Sequence, residues 1–188
     1  MITLITGAGR TGKTLLAQKL LEEYHCPYLS IDHLKMGLIR SGMTDLTPED
    51  DQALTDYLWP IVREMIKTAI ENRQNLIVEG CYVPFGWRRD FDEDYLPFIR
   101  FICLAFSEGY IETHFAEIIA HESDIERRAF EADCTAAGMK EDNRRTADGF
   151  RKAGEHVTMI DSDYEQAIRA LIDKSAAKHC PVPEDKEK

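Results

Sequence analysis

Eight consecutive residues near the start of the sequence have the types and spacing needed to bind phosphate. They fit the pattern G-x-x-x-x-G-K-[ST] at every position. Glycines allow backbone N–H groups to surround phosphate oxygens, and the N-terminus of a following helix adds partial positive charge. The pattern predicts a nucleoside triphosphate site, with a glycine turn that merely contains a lysine as the alternative. The residues predicted to bind the nucleotide are Gly7, Ala8, Gly9, Arg10, Thr11, Gly12, Lys13 and Thr14.

Two side chains of this segment are suited to particular tasks. Lys13 can reach the outer phosphates, and Thr14 can hold Mg²⁺. The neighbouring sequence supports both roles, because residues 2–6 form a β-branched apolar run and leucines recur at helical spacing after the lysine. The order of strand, loop and helix is the one that a phosphate-binding loop requires.

Two acidic residues are candidates for the chemistry. Asp32 follows a strand predicted at residues 28–31, at the sheet edge where open α/β sheets bind ligands. It could act as base toward an acceptor hydroxyl, or it could cap the helix predicted to begin at His33. Glu79 ends an apolar strand, and a buried carboxylate needs compensation, which Mg²⁺ would supply. The alternatives for Glu79 are orienting the acceptor or pairing with an arginine.

Arginines are candidates for binding phosphate oxygens, because the guanidinium group is always charged and can bond two oxygens at once. We predict a catalytic role for Arg127 and Arg128 and nucleotide binding by Arg144 and Arg145. Adjacent helical residues point about 100° apart, so at most one of each pair would face the site. The alternative is that these arginines are solvated and pair with Glu126, Glu131 or Asp142.

A further group of residues lies in segments that should border the acceptor. Arg40 and Arg88 could bind an anionic acceptor, and His33 lies beside the proposed base. The residues predicted to bind the acceptor are Asp32, His33, Arg40, Glu79 and Arg88, with Thr14 and Glu79 as the metal ligands.

The remaining sequence alternates short apolar strands with amphipathic helices. Further strands are predicted at residues 98–106 and 156–160, so about five strands should form a parallel sheet covered by helices on both faces. One helix is predicted to begin at Pro48 with Thr47 as its N-cap, and Pro60 should kink or split it. A helical pattern runs from residue 110 to about 153 with Gly138 as an interruption. Ser162 and Glu165 form a predicted capping box for the last helix.

On these motifs the sequence resembles the small P-loop kinases built like adenylate kinase and shikimate kinase, over nearly its whole length. The resemblance implies a three-layer P-loop fold and transfer of the γ-phosphate of ATP, with Mg²⁺, to a hydroxyl or phosphate of a small-molecule acceptor. It also implies that Asp32 takes the acceptor's proton, and that Glu79 lies beside the phosphate loop. In adenylate kinase an arginine closely follows the corresponding acid and glycine and holds the acceptor's phosphate, whereas here the next arginine is Arg88.

The same resemblance predicts the division of the chain. Residues 1–173 would form one kinase domain, with an acceptor-binding helical region at about 33–72 and an arginine-bearing helical lid at about 120–150. Residues 174–188 are polar and are expected to form a flexible tail.

Composition limits the classes of function. The chain has 188 residues and a net charge of −11, which disfavours nucleic acid and anionic membranes as partners, and it contains no apolar segment of membrane-spanning length. The start lacks signal-peptide features, and five scattered cysteines indicate reduced thiols, so we expect a cytoplasmic protein.

Two functions remain compatible with the sequence. The first is a small-molecule kinase, and the second is a nucleotide-hydrolysing switch without an acceptor. Neither an N-K-x-D nor an L-S-G-G-Q sequence occurs, which favours the kinase. The acceptor could be a nucleoside, a nucleotide, a sugar or sugar acid, a phosphoglycerate-like acid or an antibiotic-like alcohol, and the sequence does not determine the oligomeric state.

Overall fold

The computed structural model describes residues 1–121 and 134–176. Within these residues the strands are β1 (Ile2–Gly7), β2 (Tyr28–Ser30), β3 (Leu76–Glu79), β4 (Ile99–Phe106) and β5 (Val157–Ile160). The α-helices are α1 (Lys13–Tyr24), α2 (Ile31–Arg40), α3 (Asp51–Glu71), α4 (Glu108–Ala120), α5 (Ala136–Lys152) and α6 (Tyr164–Ala176). Two short 3₁₀ helices, Trp87–Asp90 and Leu96–Phe98, lie between β3 and β4.

The strands form one parallel sheet in the order β2-β3-β1-β4-β5. β1 lies at the centre and is buried along its whole length, which explains its uninterrupted apolar and threonine sequence. In the strand register, Ser30 of β2 lies opposite Glu79 of β3, and Glu79 lies opposite Ile5 of β1. The predicted five-stranded parallel sheet is therefore confirmed, and its register brings the carboxyl ends of β1, β2 and β3 together.

Helices cover both faces of the sheet, so the predicted three-layer α/β arrangement is confirmed. On one face α3 and α5 contribute Leu58 and Phe150 to a core that also contains Leu4 of β1. On the other face α1 and α6 contribute Leu16 and Ile168 to a second core. Burial of apolar surface on both faces stabilises a parallel sheet, because neither face is exposed to water.

The helix before the sheet's third strand begins later than its sequence predicts. α3 begins at Asp51, and the Thr47–Pro48 N-cap prediction is wrong. The backbone N–H and the hydroxyl of Thr47 both donate to Asp50 Oδ2, at 2.8 and 2.9 Å, which closes a turn ahead of the helix. α3 then continues through Pro60 without splitting.

Two other helix boundaries also differ from prediction. Gly138 does not interrupt a long helix but lies in the first turn of α5, whose N-cap is Thr135. At α6 the predicted Ser162 capping box is wrong by one residue, because the Asp163 carboxylate accepts the N–H of Gln166 at 2.9 Å. α6 extends to Ala176, so the predicted tail begins at least three residues too early.

Some predictions fall outside the described residues. These concern Arg127 and Arg128, part of the lid region, and residues 177–188 of the predicted tail. Across the helices that the structure does describe, none combines the length and apolar character needed to cross a membrane.

Candidate active site

The phosphate loop connects β1 to α1 at the carboxyl edge of the sheet. Gly7 has φ of 143°, and a Cβ at this position would lie 2.1 Å from the carbonyl oxygen of Leu104 on β4. Gly12 has φ of 80° and is the N-cap residue of α1. These two positions require glycine, because other residues rarely adopt such φ values and the first also has no space for a side chain.

The loop is closed by hydrogen bonds to one carbonyl group. Lys13 Nζ donates to Ala8 O at 2.7 Å, and Thr11 Oγ1 donates to the same oxygen at 2.8 Å. Lys13 is 5% exposed, so its ammonium group is held inside the loop. This places the positive charge of Lys13 where the backbone N–H groups of the loop and the N-terminus of α1 can also bind an anion.

A carboxylate from α5 already contacts this loop. Asp142 Oδ2 accepts the backbone N–H of Gly9 at 2.9 Å, and Asp142 Oδ1 accepts a hydrogen bond from Arg145 at 3.0 Å. An acidic group therefore binds one of the loop amides that a phosphate would approach. The sequence suggested Asp142 only as a partner for an arginine, and that pairing is present.

Thr14 and Glu79 face each other across the site. Thr14 Oγ1 donates to Glu79 Oε2 at 3.5 Å, and Glu79 is 1% exposed. A hydroxyl and a buried carboxylate are hard oxygen ligands of the kind that Mg²⁺ prefers, together with oxygens of a bound phosphate. The donor set fits this ion. Among residues 1–121 and 134–176, no group of three or more His, Cys, Asp or Glu side chains could hold a metal ion.

Asp32 lies in the first turn of α2 and is not its N-cap. The cap is Ser30, whose hydroxyl accepts the N–H of His33 at 3.5 Å. The alternative in which Asp32 caps this helix is therefore wrong. Its carboxylate is instead held by a side chain one turn later, because Lys35 Nζ donates to Asp32 Oδ1 at 2.7 Å.

Lys35 joins Asp32 to the segment that follows β3. Its Nζ also donates to the hydroxyl of Tyr82 at 2.9 Å and lies 4.9 Å from the centre of the Tyr82 ring. Burial by itself lowers the pKa of Lys35, but the hydrogen bonds to Asp32 and Tyr82 outweigh it and raise the pKa above its ordinary value. Burial raises the pKa of Tyr82 to about 12. Lys35 is thus charged and Tyr82 is neutral at physiological pH.

Cys81 lies two residues after the end of β3. Burial of its thiol among neighbouring residues raises the pKa of Cys81. The charged groups that act on this thiol are Lys13, Asp32, Lys35 and Asp51. Charges on the phosphate loop, on α2 and on the first residue of α3 therefore all influence the pKa of this thiol.

The other predicted site residues either form ion pairs with acidic side chains or are exposed at the surface. Arg88 donates two hydrogen bonds to the carboxylate of Glu155, the second at 3.0 Å, and its guanidinium lies 4.7 Å from the centre of the Trp87 ring. Arg40 is the exposed last residue of α2, and His33 is exposed in its first turn. Arg144 and Arg145 are exposed on α5 and pair with Glu141 and Asp142.

The fold can be compared with known proteins. No family model matches the sequence, and no curated protein sequence matches it. Among solved structures, deoxyadenosine kinase from M. mycoides with dCMP and dCDP bound has a TM-score of 0.55 and 14% identity, covering 94% of this chain and 100% of that chain. A sugar kinase from Janibacter sp. has a TM-score of 0.53 and 16% identity, covering 92% of each chain. The chain has the fold of the small P-loop kinases. In this P-loop kinase fold, residues 7–14 run from the last residue of β1 to the first two residues of α1.

Sequence reasoning missed three residues of the candidate site. Lys35 follows Asp32 by three positions, a spacing that places both on one face of a helix and could have indicated the pair. Tyr82 and Asp142 reach the site through contacts between distant segments, and no local pattern predicts them.

Proposed function

We propose that this protein is an ATP-dependent kinase that transfers the γ-phosphate to a hydroxyl group of a small molecule. The observation that carries the proposal is that an acid, Asp32, follows β2 at the same edge of the sheet at which the phosphate loop and Lys13 follow β1, as the register of β1, β2 and β3 requires. A phosphate site alone would suit any nucleotide-binding protein. A carboxylate at that same edge is what a kinase needs to orient the attacking hydroxyl.

The phosphate loop would bind the triphosphate. Its backbone N–H groups bind phosphate oxygens, and Lys13 exchanges its bond to Ala8 O for the outer phosphates. Charge on the migrating phosphoryl group is thereby stabilised by donors that are already in place, which is the main catalytic contribution in this reaction class. Arg144 and Arg145 on α5, with Arg127 and Arg128, are proposed to add further positive charge.

The acceptor would bind on the side of Asp32. Lys35 fixes Asp32 Oδ1 through its hydrogen bond, so the second carboxylate oxygen can accept the proton of the acceptor hydroxyl. Thr14 and Glu79 would hold Mg²⁺, which supplies neutralisation of phosphate charge when bound. His33 and Arg40 remain proposed acceptor contacts. Arg88 is also a proposed acceptor contact, but its ion pair with Glu155 would first have to break.

Two proteins with a similar fold are a deoxyadenosine kinase and a sugar kinase, and this supports the proposed transfer of phosphate to a small molecule. Both names describe kinases of small molecules, which supports a small molecule as the partner. We propose ATP and Mg²⁺ as the co-substrate and ion from the phosphate-loop pattern and from the oxygen ligands of Thr14 and Glu79. We propose that the kinase domain extends from residue 1 through the end of α6 at Ala176, three residues beyond the predicted boundary, and acts in the cytoplasm.

The proposal is tested by measuring ADP release from MgATP in the presence of a panel of nucleosides, sugars, sugar acids, nucleotides and antibiotic alcohols. We expect ADP release to stay near background with ATP alone and to rise at least tenfold with one class of acceptor. Phosphorylated product is then confirmed by mass spectrometry. Rapid ATP hydrolysis that no acceptor changes would instead support a nucleotide-hydrolysing switch.

A further inference from the structure

A tyrosine of the last helix lies against the phosphate loop. Tyr164 is the first residue of α6, and a Cβ placed on Gly12 would lie 1.7 Å from the hydroxyl oxygen of this tyrosine. The two residues are far apart in the sequence, and no local pattern predicts their contact. The Tyr164 hydroxyl therefore reaches the loop at the residue that precedes Lys13.

The ring of Tyr164 is held by two hydrophobic cores. It packs against the core that contains Leu16 of α1 and Ile168 of α6, and also against the core that contains Phe106 at the end of β4. Its centre lies 6.3 Å from the centre of the Phe106 ring. Because apolar packing fixes the ring, the fold determines where the hydroxyl group lies.

The Tyr164 hydroxyl makes no hydrogen bond within the part of the chain that the structure describes. By contrast, Tyr24, Tyr57 and Tyr95 each donate to a protein oxygen, at 2.9, 3.2 and 2.7 Å. Burial raises the pKa of Tyr164 to about 12, so its hydroxyl keeps its proton at physiological pH. A partly buried tyrosine hydroxyl usually has a partner, and this one can donate to an oxygen of a ligand.

Other hydrogen-bond donors lie at the same end of α1. Gly12 is the N-cap residue of this helix, and among the described residues no side chain caps it. The N–H groups of the first turn point toward the loop, as at any helix N-terminus. The carbonyl oxygen of Gly12 already accepts the N–H of Leu16 at 2.9 Å. Donors therefore predominate around Gly12, and they suit a ligand that is rich in oxygen atoms.

We infer that Tyr164 is a further nucleotide-binding residue, whose hydroxyl donates a hydrogen bond to an oxygen of the nucleotide held by the phosphate loop. This inference rests on the proposed binding of ATP at that loop. Phosphate and ribose oxygens can both accept such a bond, and the test separates these two sources. Because the ring is already fixed, forming the bond orders little additional structure.

The substitution Tyr164→Phe removes the hydroxyl group and keeps the ring. Calorimetric titration of the full-length protein with Mg²⁺ and a non-hydrolysable ATP analogue gives the dissociation constant. We expect this constant to rise about three- to tenfold in Tyr164→Phe, the scale of one hydrogen bond. A second titration uses magnesium tripolyphosphate. A similar rise with tripolyphosphate shows that the partner is a phosphate oxygen, and a rise with the ATP analogue alone shows that it is a ribose oxygen.

The matched control is Tyr24→Phe. Tyr24 is the last residue of α1, about 16 Å along the helix from Lys13, and its hydroxyl donates to Ile172 O. This variant should keep the dissociation constant within twofold of wild type. Thermal unfolding without nucleotide checks for a structural role: Tyr164→Phe should not lower the melting temperature, because its hydroxyl bonds no described residue.

The outcomes separate the inference from the function on which it rests. An unchanged dissociation constant in Tyr164→Phe, or an equal rise in Tyr24→Phe, overturns the inference while nucleotide binding by the wild-type protein stands. A wild-type protein that binds neither the ATP analogue nor tripolyphosphate overturns the proposed nucleotide site, and the inference with it.

Discussion

The carboxylate of Asp32 is the group on which the proposed chemistry depends most. Ser30 caps α2, so Asp32 has no capping role, and Lys35 holds its Oδ1 atom. Within the part of the chain that the structure describes, Oδ2 of Asp32 accepts no hydrogen bond. A fixed carboxylate with one open oxygen suits a group that must align an acceptor hydroxyl with the γ-phosphate.

Substituting Asp32→Asn removes the base while keeping the size of the side chain. We expect turnover with the acceptor to fall roughly 10²-fold, with nucleotide affinity unchanged, because the phosphate loop does not involve Asp32. Steady-state ADP release and calorimetric titration of MgATP measure these two effects. Asp45→Asn, at an exposed position, serves as the control, and wild-type turnover in Asp32→Asn would contradict the role of base.

Single residues differ in how well their roles can be predicted from the sequence. The phosphate loop is local, so its eight residues are recognisable by pattern alone. Asp32 and Glu79 can be proposed because each lies at the end of an apolar strand, and the paired register of Ser30 with Glu79 brings these strand ends together. Arg88 shows the limit, because its partner Glu155 is 67 positions away and no local signal indicates it.

At the scale of elements, α5 links the phosphate loop to the segment after β3. Asp142, in the first half of α5, accepts a hydrogen bond from the N–H of Gly9, and Phe150 near the end of α5 packs edge-on against Phe85 at a centroid distance of 4.9 Å. Glu155, three residues after the end of α5, forms an ion pair with Arg88. α5 therefore contacts both the predicted nucleotide side and the predicted acceptor side of the site.

The contact between Asp142 and Gly9 predicts an effect on nucleotide binding. A carboxylate at a phosphate-loop amide competes with phosphate for that donor and repels its charge. Replacing Asp142→Asn should therefore tighten binding of MgATP about three- to tenfold, the scale of one hydrogen bond to a charged group. Calorimetric titration measures the dissociation constant.

A matched variant on the same helix controls for the loss of charge in general. Asp148 pairs with Arg151 of α5, at 3.8 Å, and Asp148→Asn should leave the dissociation constant within twofold of wild type. Equal or weaker nucleotide binding in Asp142→Asn would show that Asp142 assists the phosphate loop rather than competing at it.

Elements are predictable from the sequence where the pattern is strong. The strands of this parallel sheet are short apolar runs, and all five can be located on that basis, although the edge strands β2 and β5 are only partly buried. Helix starts are less certain, because several residues near each start can accept backbone N–H groups. Asp50 accepts bonds from Thr47 in a turn before α3, and Asp163 rather than Ser162 caps α6.

At the scale of the whole molecule, the sheet order explains why distant segments form one site. β1 lies between β3 and β4, so the phosphate loop that follows it lies beside the ends of both neighbours. The net charge of −11 leaves the phosphate loop and Lys13 as a local positive feature in an acidic protein. Fold and phosphate site therefore follow from sequence, whereas the pairing of charged residues around the site requires the tertiary structure.

The central claim is that the phosphate loop binds the phosphate chain of ATP, with Lys13 as the charged contact. Isothermal titration calorimetry with Mg²⁺ and a non-hydrolysable ATP analogue tests it directly in wild type and in Lys13→Ala, with circular dichroism to show that both are folded. We predict binding of one nucleotide per chain to wild type and an affinity at least 100-fold weaker in Lys13→Ala. Absence of binding heat in wild type, or equal affinity in the folded variant, would contradict the claim.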